Sequence, residues 1–388
     1  MYTRLCRGIL AAVMLLPGVR AFPQGAGNDA ANLWFVRGGI TPSFILPTNP
    51  FSLGTPQASD TIRWAPGFTV EVGRRTNGSR EWHELYNMPS YGFGISTAAF
   101  ENHGELIRPI EAYTFFSWPF ARLTNRLDLT SDFGMGLSWN WTPVHASVAT
   151  TQTVLGSNLN ARIDYGLYLR YISSPRTVFY AGLDFTHRSN GGLVQPNQGI
   201  NVVGPKLTVQ YNFGPDTTYT LDSRPPPPFH PAWDVIVVGT GGLKNVLEST
   251  SPMVRQDFGA FEGTVAAQRH FYRFGRVAGG ADLMYDGSTG AELGGDGVVT
   301  RADSMQRLSF GTFAEYEHII GRFSAFADAG FVIARTLDNP DVSRFYQRYG
   351  WRYQMNDRLF TTLSIRATGG KKADAFELGF GYRFVTAR

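Results

Sequence analysis

The feature that most constrains this chain is a two-residue alternation held over long segments. From 126 to 141, Leu127, Leu129, Phe133, Met135, Leu137, Trp139 and Trp141 alternate with Arg126, Asp128, Thr130, Asp132, Ser138 and Asn140. From 158 to 171, Leu159, Ala161, Ile163, Tyr165, Leu167 and Leu169 alternate with Asn160, Arg162, Asp164 and Arg170. Successive side chains of an extended strand point to opposite faces, so each segment presents one apolar and one polar face. Similar segments fall at 33–46, 66–75, 90–100, 109–118, 232–240, 257–269, 272–285, 304–319, 321–335, 342–353, 357–368 and 373–385. Many exceed the ~5–6 residues of a soluble strand and match the ~9–11 of a tilted membrane-spanning one. In a sandwich the apolar row faces a core; in a membrane barrel it faces lipid and the polar row lines the lumen.

Alternation fits both, and other features separate them. Met1 to Ala21 reads as a secretory signal, with Arg4 and Arg7, an apolar run from Gly8 to Leu16, and Val19-Arg20-Ala21 before a cut. Cys6 is the only cysteine, so the mature chain carries no disulfide or thiolate metal site, as suits an exported envelope protein. Aromatics make up 14% of the chain and charged residues only 17%, less charge than a soluble protein of this size carries. The expected fold is therefore all-β, an antiparallel transmembrane β-barrel of the outer-membrane type. Its expected organisation is a signal at 1–21, a first barrel segment at 22–213, a proline-rich periplasmic connection at 214–231, and further strands at 232–388. One barrel of about 14–16 strands is favoured over the alternative, two smaller 8-stranded barrels, because tandem barrels are uncommon.

Connections alternate long (47–65, 142–157, 188–199, 241–256, 286–302) and short (172–175, 319–321, 354–356). Long ones face outside and short ones the periplasm. The last strand alternates Phe376, Leu378, Phe380, Tyr382 and Phe384, although four residues follow. It resembles the signal by which the barrel assembly machinery recognises its clients, an expected partner.

Residues 187–199 join two clear alternating segments. Phe179, Ala181, Leu183 and Phe185 form one row, which His187 and Ser189 extend; Leu207, Val209, Tyr211 and Phe213 form another, in register with Asn201 and Val203. A histidine, a hydroxyl and an amide thus converge at the edge of an apolar surface, at the end facing outside. Ester cleavage by serine needs a base, a group that orients the base, and donors for the oxyanion. His187 and Ser189 share a face at i and i+2, and Asn201 offers an amide oxygen to the imidazole. The backbone N–H groups of Asn190, Gly191 and Gly192 are candidate oxyanion donors, since glycine lets the chain turn sharply; Asn197 is a candidate brace or donor.

The run His187-Arg188-Ser189-Asn190-Gly191-Gly192, followed by Pro196-Asn197-Gln198-Gly199, resembles the active-site segment of outer-membrane lipid A deacylases, also described as acyloxyacyl hydrolases. The resemblance is densest from 155 to 213, with weaker echoes in Asn87 to Gly94 and Leu155-Gly156-Ser157. It implies a Ser-His-Glu triad with Ser189 as nucleophile and His187 as base. The family's acid falls where this chain has Asn201. The implied activity is removal of an ester-linked acyl chain from lipid A or a related outer-leaflet glycolipid, without cofactor or metal.

Competing readings are a non-enzymatic outer-membrane channel or structural barrel with a degenerate active site, and a soluble secreted β-protein. His83, His103, His145, His230, His270 and His318 are dispersed without metal-ligand spacing. Asp286, Glu292, Asp296 and Asp303 lack a calcium-loop spacing and read as a solvated loop. Asp164, Arg162 and Arg170 are expected to pair inside the barrel, and Asp184 on that inner face is a poor substitute for the missing acid. No basic cluster interleaved with aromatics points to nucleic acid.

Overall fold

A computed structural model gives the fold. It describes residues 33–49, 52, 63–100, 108–143, 154–214, 229–250, 253–294, 297–300, 302–337, 343–370 and 372–385. The expected signal, Cys6 and the Pro225–Pro228 run lie outside the described residues.

In chain order the first half contains β1 (Trp34–Thr41), β2 (Phe44–Ile45), β3 (Gly67–Arg75), α1 (Glu81–Leu85), β4 (Ser90–Ala98), β5 (Ile110–Thr124), β6 (Leu127–Trp139), β7 (Asn160–Ile172), β8 (Thr177–Ser189) and β9 (Ile200–Asn212). The second half contains β10 (Ala232–Thr250), β11 (Met253–Tyr272), β12 (Gly275–Asp286), β13 (Ala291–Gly294), β14 (Gly297–Thr300), β15 (Leu308–Ile320), β16 (Phe323–Arg335), β17 (Phe345–Gln354), β18 (Leu359–Thr368) and β19 (Lys372–Val385). Every barrel pairing is antiparallel.

The strands close twice. In the first half the sheet runs β1-β3-β4-β5-β6-β7-β8-β9 and returns through β1–β9, with β2 added on β9. In the second half β10-β11-β12-β15-β16-β17-β18-β19 closes through β10–β19. The chain is thus two 8-stranded barrels, the alternative reading, and the favoured single barrel is corrected. An 8-stranded barrel has an interior just wide enough for side chains to fill. Large charged and aromatic residues fill both. In the first, Arg37 meets Glu71 (2.5 Å) and Asp132 (3.0 Å), while Glu111 receives Arg162 (3.0 Å) and Arg188 (2.5 Å). In the second, Arg348 meets Glu262, Asp282 and Asp328, and Arg352 meets Glu315. Charges withdrawn from water must be paired, and these are.

Outer rows are the reverse. Phe93 and Ile95 on β4 are 61% and 62% exposed, while Glu111 on the neighbouring strand is fully buried. A soluble sandwich would bury the aromatics and expose the carboxylate. This inside-out pattern is that of a barrel whose apolar face meets lipid.

Two connections differ from expectation. The expected long loop at 241–256 is instead the continuation of β10 and β11, strands of 19 and 20 residues joined at 251–252. The loop at 286–302 holds the β13–β14 hairpin.

The barrels stand side by side in the same orientation. Half-buried Leu129, Phe133, Met135 and Leu137 on β6, and half-buried Leu363 and Ile365 on β18, mark their shared wall, where Phe133 lies 5.1 Å from Trp351. At the end of the short turns, Tyr86 donates to the Ile319 carbonyl (2.5 Å) and lies 2.9 Å from His318 Nε2, and Arg273 pairs with Glu81.

Candidate active site

β8 and β9 pair with His187 directly opposite Asn201. Opposed residues on antiparallel strands put their side chains on one face within contact distance, and Ser189 lies on that face two residues on. The register brings the three together: His187 Nδ1 lies 2.6 Å from Asn201 Oδ1, and His187 Nε2 lies 3.0 Å from Ser189 Oγ. Below them on the same outward row, Phe185 and Leu183 are exposed.

Hydrogen bonds around Asn201 define its direction. Its Nδ2 donates to Thr48 Oγ1 (2.9 Å), and the Thr48 hydroxyl donates onward to the Leu46 carbonyl (3.5 Å). Asn201 therefore presents its oxygen, an acceptor only, to the imidazole. That places the His187 proton on Nδ1 and leaves Nε2 as the lone pair facing Ser189 Oγ. The Asn201 carbonyl also receives the Leu46 N–H (2.9 Å), tying the 46–48 segment to the strand end.

The loop after Ser189 is tightly bonded. Asn190 Oδ1 accepts from Gly192 N (3.1 Å) and Val194 N (3.3 Å), and its Nδ2 donates to the Val194 carbonyl (2.8 Å) and Ser157 Oγ (3.0 Å). Asn197 Oδ1 accepts from Asn190 N (3.1 Å). So of the three candidate oxyanion donors, the Asn190 and Gly192 N–H groups already donate within the loop. The Gly191 N–H has no partner among the described residues.

Gly199 is the residue whose role the sequence motif contained but did not explain. It has φ +71°, and a Cβ there would lie 2.7 Å from His187 Cε1. Glycine is what lets the imidazole occupy its place. Asn49 Nδ2 holds the Gly199 carbonyl at 2.9 Å. Thr48 and Asn49 carried no signal readable from sequence, because they come from the distant 47–65 connection.

Asp184 faces the lumen, held by Tyr168 (2.5 Å) and Lys206 (3.3 Å), on the opposite face from His187. Asp286 is not a free loop carboxylate: it pairs with Lys244 at 2.7 Å and accepts from Ser288. Asp296, His103 and His145 lie outside the described residues. Among the described residues no three metal-ligating side chains cluster.

Two family models match the chain. Residues 67–212 match "Lipid A 3-O-deacylase (PagL)", and residues 232–386 match "Acyloxyacyl hydrolase, C-terminal domain". The chain belongs to the lipid A deacylase family. This lipid A deacylase homologue thus carries a separate family domain in each barrel, and its barrels belong to the outer membrane. Among solved structures it is similar to the outer membrane enzyme PagL, with 18% identity over 46% of this chain and 98% of that one, at a TM-score of 0.29. It is also similar to a mutant Rh. blastica porin, with 10% identity over 91% of this chain and 99% of that one, at a TM-score of 0.18. No curated protein matches the sequence.

Proposed function

We propose that this deacylase homologue is a serine esterase that removes an ester-linked acyl chain from lipid A or a related outer-leaflet lipid. The observation that carries the reading is the relay Asn201 Oδ1–His187–Ser189 Oγ, at 2.6 and 3.0 Å, on the lipid-facing row. Its position at the end of the long connections supports a site at the outer leaflet.

Ser189 Oγ attacks the acyl carbonyl carbon and its proton passes to His187 Nε2. The carbonyl oxygen becomes an oxyanion, for which the Gly191 N–H is the donor the loop leaves free. Collapse breaks the ester bond, and the departing sugar alkoxide takes the proton from His187. Water, deprotonated by His187, then attacks the acyl-serine, and the free fatty acid leaves with Ser189 restored. Asn201 orients the imidazole but brings no negative charge to the imidazolium. Turnover should therefore be slower than with a carboxylate at this position.

The channel reading has less support. Paired charges and aromatics occupy both lumens among the described residues, leaving little room for a conducting path. Mass spectrometry of outer-membrane lipids from cells with the protein, without it, and with Ser189→Ala tests the proposal. A lipid A species lacking one acyl chain should appear only with the intact serine. If lipids from all three cells are identical, the esterase reading fails.

A further inference from the structure

The second barrel reaches the first at the catalytic loop. Gln195 is held from both sides: its N–H donates to Asn245 Oδ1 (2.9 Å), and its carbonyl accepts from Arg255 Nη1 (3.0 Å). Asn245 is on β10 and Arg255 on β11, in the part of that hairpin expected to be a loop. Asn245 and Asp257 are register partners, and Asn245 Nδ2 donates to Asp257 Oδ1 (2.6 Å). That bond turns the Asn245 amide so that its oxygen meets Gln195.

From Gln195 the contact runs to the nucleophile. Gln195 Oε1 accepts from Asn197 N (3.1 Å), and Asn197 Oδ1 accepts from the N–H of Asn190, the residue after Ser189. The loop also rests directly on the second barrel's outer surface. A Cβ at Gly191 would lie 3.2 Å from Ile365 Cδ1, and one at Gly192 would lie 3.0 Å from the Ala373 carbonyl. Both glycines have positive φ. Backbone this close, in this conformation, favours glycine.

We infer that the second barrel is a clamp for the catalytic loop, with Asn245 and Arg255 as positioning residues that set the Gly191 N–H and Ser189 for reaction. This rests on the serine-esterase reading. It gives the long β10–β11 hairpin a purpose that membrane spanning does not require, since ~9–11 residues suffice to cross. Neither residue touches the reacting atoms, so the clamp acts on kcat through geometry; a displacement of about 1 Å costs on the order of 10²-fold.

The test uses the full chain in detergent micelles containing lipid A, reading released fatty acid. N245A/R255A should lower kcat about tenfold to a hundredfold while KM changes less than about threefold. N245D should also be impaired, because it loses the donor to Asp257 and sets two carboxylates together. N245D/D257N should recover, since it keeps an acceptor for Gln195 and supplies the donor from position 257. Arg255 is exposed, so R255A decides the matter if N245A does not assemble, with a smaller loss of kcat expected. The clamp is overturned if N245A/R255A, or R255A where the double variant does not assemble, turns over within about twofold of the parent, or if N245D/D257N is no better than N245D. S189A is run alongside: its inactivity with a fully active N245A/R255A sinks the clamp alone, whereas an active S189A sinks the underlying esterase reading and the clamp with it.

Discussion

The two barrels each close eight strands around paired charges, yet their outward rows end differently at the outer rim. On β16 of the second barrel the row stays apolar through Phe331 and Ile333, both exposed to lipid. On β8 of the first barrel the row passes from Phe185 to His187 and Ser189, opposite Asn201 on β9. The same scaffold thus ends in polar side chains at one rim and in apolar ones at the other. What the second barrel contributes lies above its rim, in the β10–β11 hairpin that reaches Gln195. A barrel wall fixes position and membrane depth; the residues where strands become loops supply function.

The widest gap between the barrels should appear on removing the nucleophile. Ser189→Ala and His187→Ala should each abolish nearly all deacylation, a loss on the order of 10⁴-fold or more, and the double variant should be scarcely worse than either. Phe331→Ala, at the matching rim of the second barrel, should leave the rate unchanged. Fatty-acid release in micelles compares them, and an active Ser189→Ala would erase the distinction between the two rims.

Substitutions of Asn201 should give the next largest effect. Asn201→Ala should lose about 10²–10⁴-fold, by analogy with disrupted triads, whereas Asn201→Glu should keep or raise the rate. The charge it brings would lie beside the forming imidazolium. Equal rates for Asn201→Ala and the parent would mean that another group orients His187.

A third variant concerns what the barrels share. Glu111→Ala leaves Arg188 without its carboxylate inside the first barrel and Arg162 with Asp164 alone. Breaking a buried pair in this way costs about 3–5 kcal/mol. The first barrel should unfold at lower temperature in a heat-modification gel while the second keeps its own transition. A single transition, shifted for both, would show that the barrels melt as one unit.

The smaller effects lie around the imidazole. Gly199→Ala should lower kcat about tenfold to a hundredfold, because its methyl group displaces the His187 ring. Thr48→Val removes the acceptor that fixes the Asn201 amide and should cost several-fold, on the order of one lost hydrogen bond of ~1 kcal/mol. The kcat of each, with assembly confirmed on a gel, checks the order.

Much of this was legible in sequence because a strand has a period of two. The period puts His187, Ser189 and Asn201 in register with the apolar rows, and Arg162, Asp164 and Asp184 in the polar ones. Closure was not legible. Strands of an 8-stranded and a 16-stranded barrel alternate alike, and the difference lies in whether β9 pairs back to β1, a contact between residues far apart in the chain. In sequence the 241–256 stretch has the look of a loop because Gly241, Gly242, Lys244, Asn245 and Glu248 interrupt the apolar row. Strands of 19 and 20 residues exceed the ~9–11 that a crossing needs, and the part beyond it needs no such row. Thr48 was invisible for a third reason: its contact with Asn201 spans 153 positions and leaves no local pattern.

Covalent labelling asks whether Ser189 is the nucleophile of a deacylase. The full chain in detergent would be treated with a long-chain alkyl fluorophosphonate and its peptides analysed by mass spectrometry. The adduct should sit on Ser189, form in step with loss of lipid A deacylation, and be absent from His187→Ala. Complete loss of deacylation with Ser189 unmodified, or full deacylation with Ser189 modified, would mean that Ser189 is not the nucleophile.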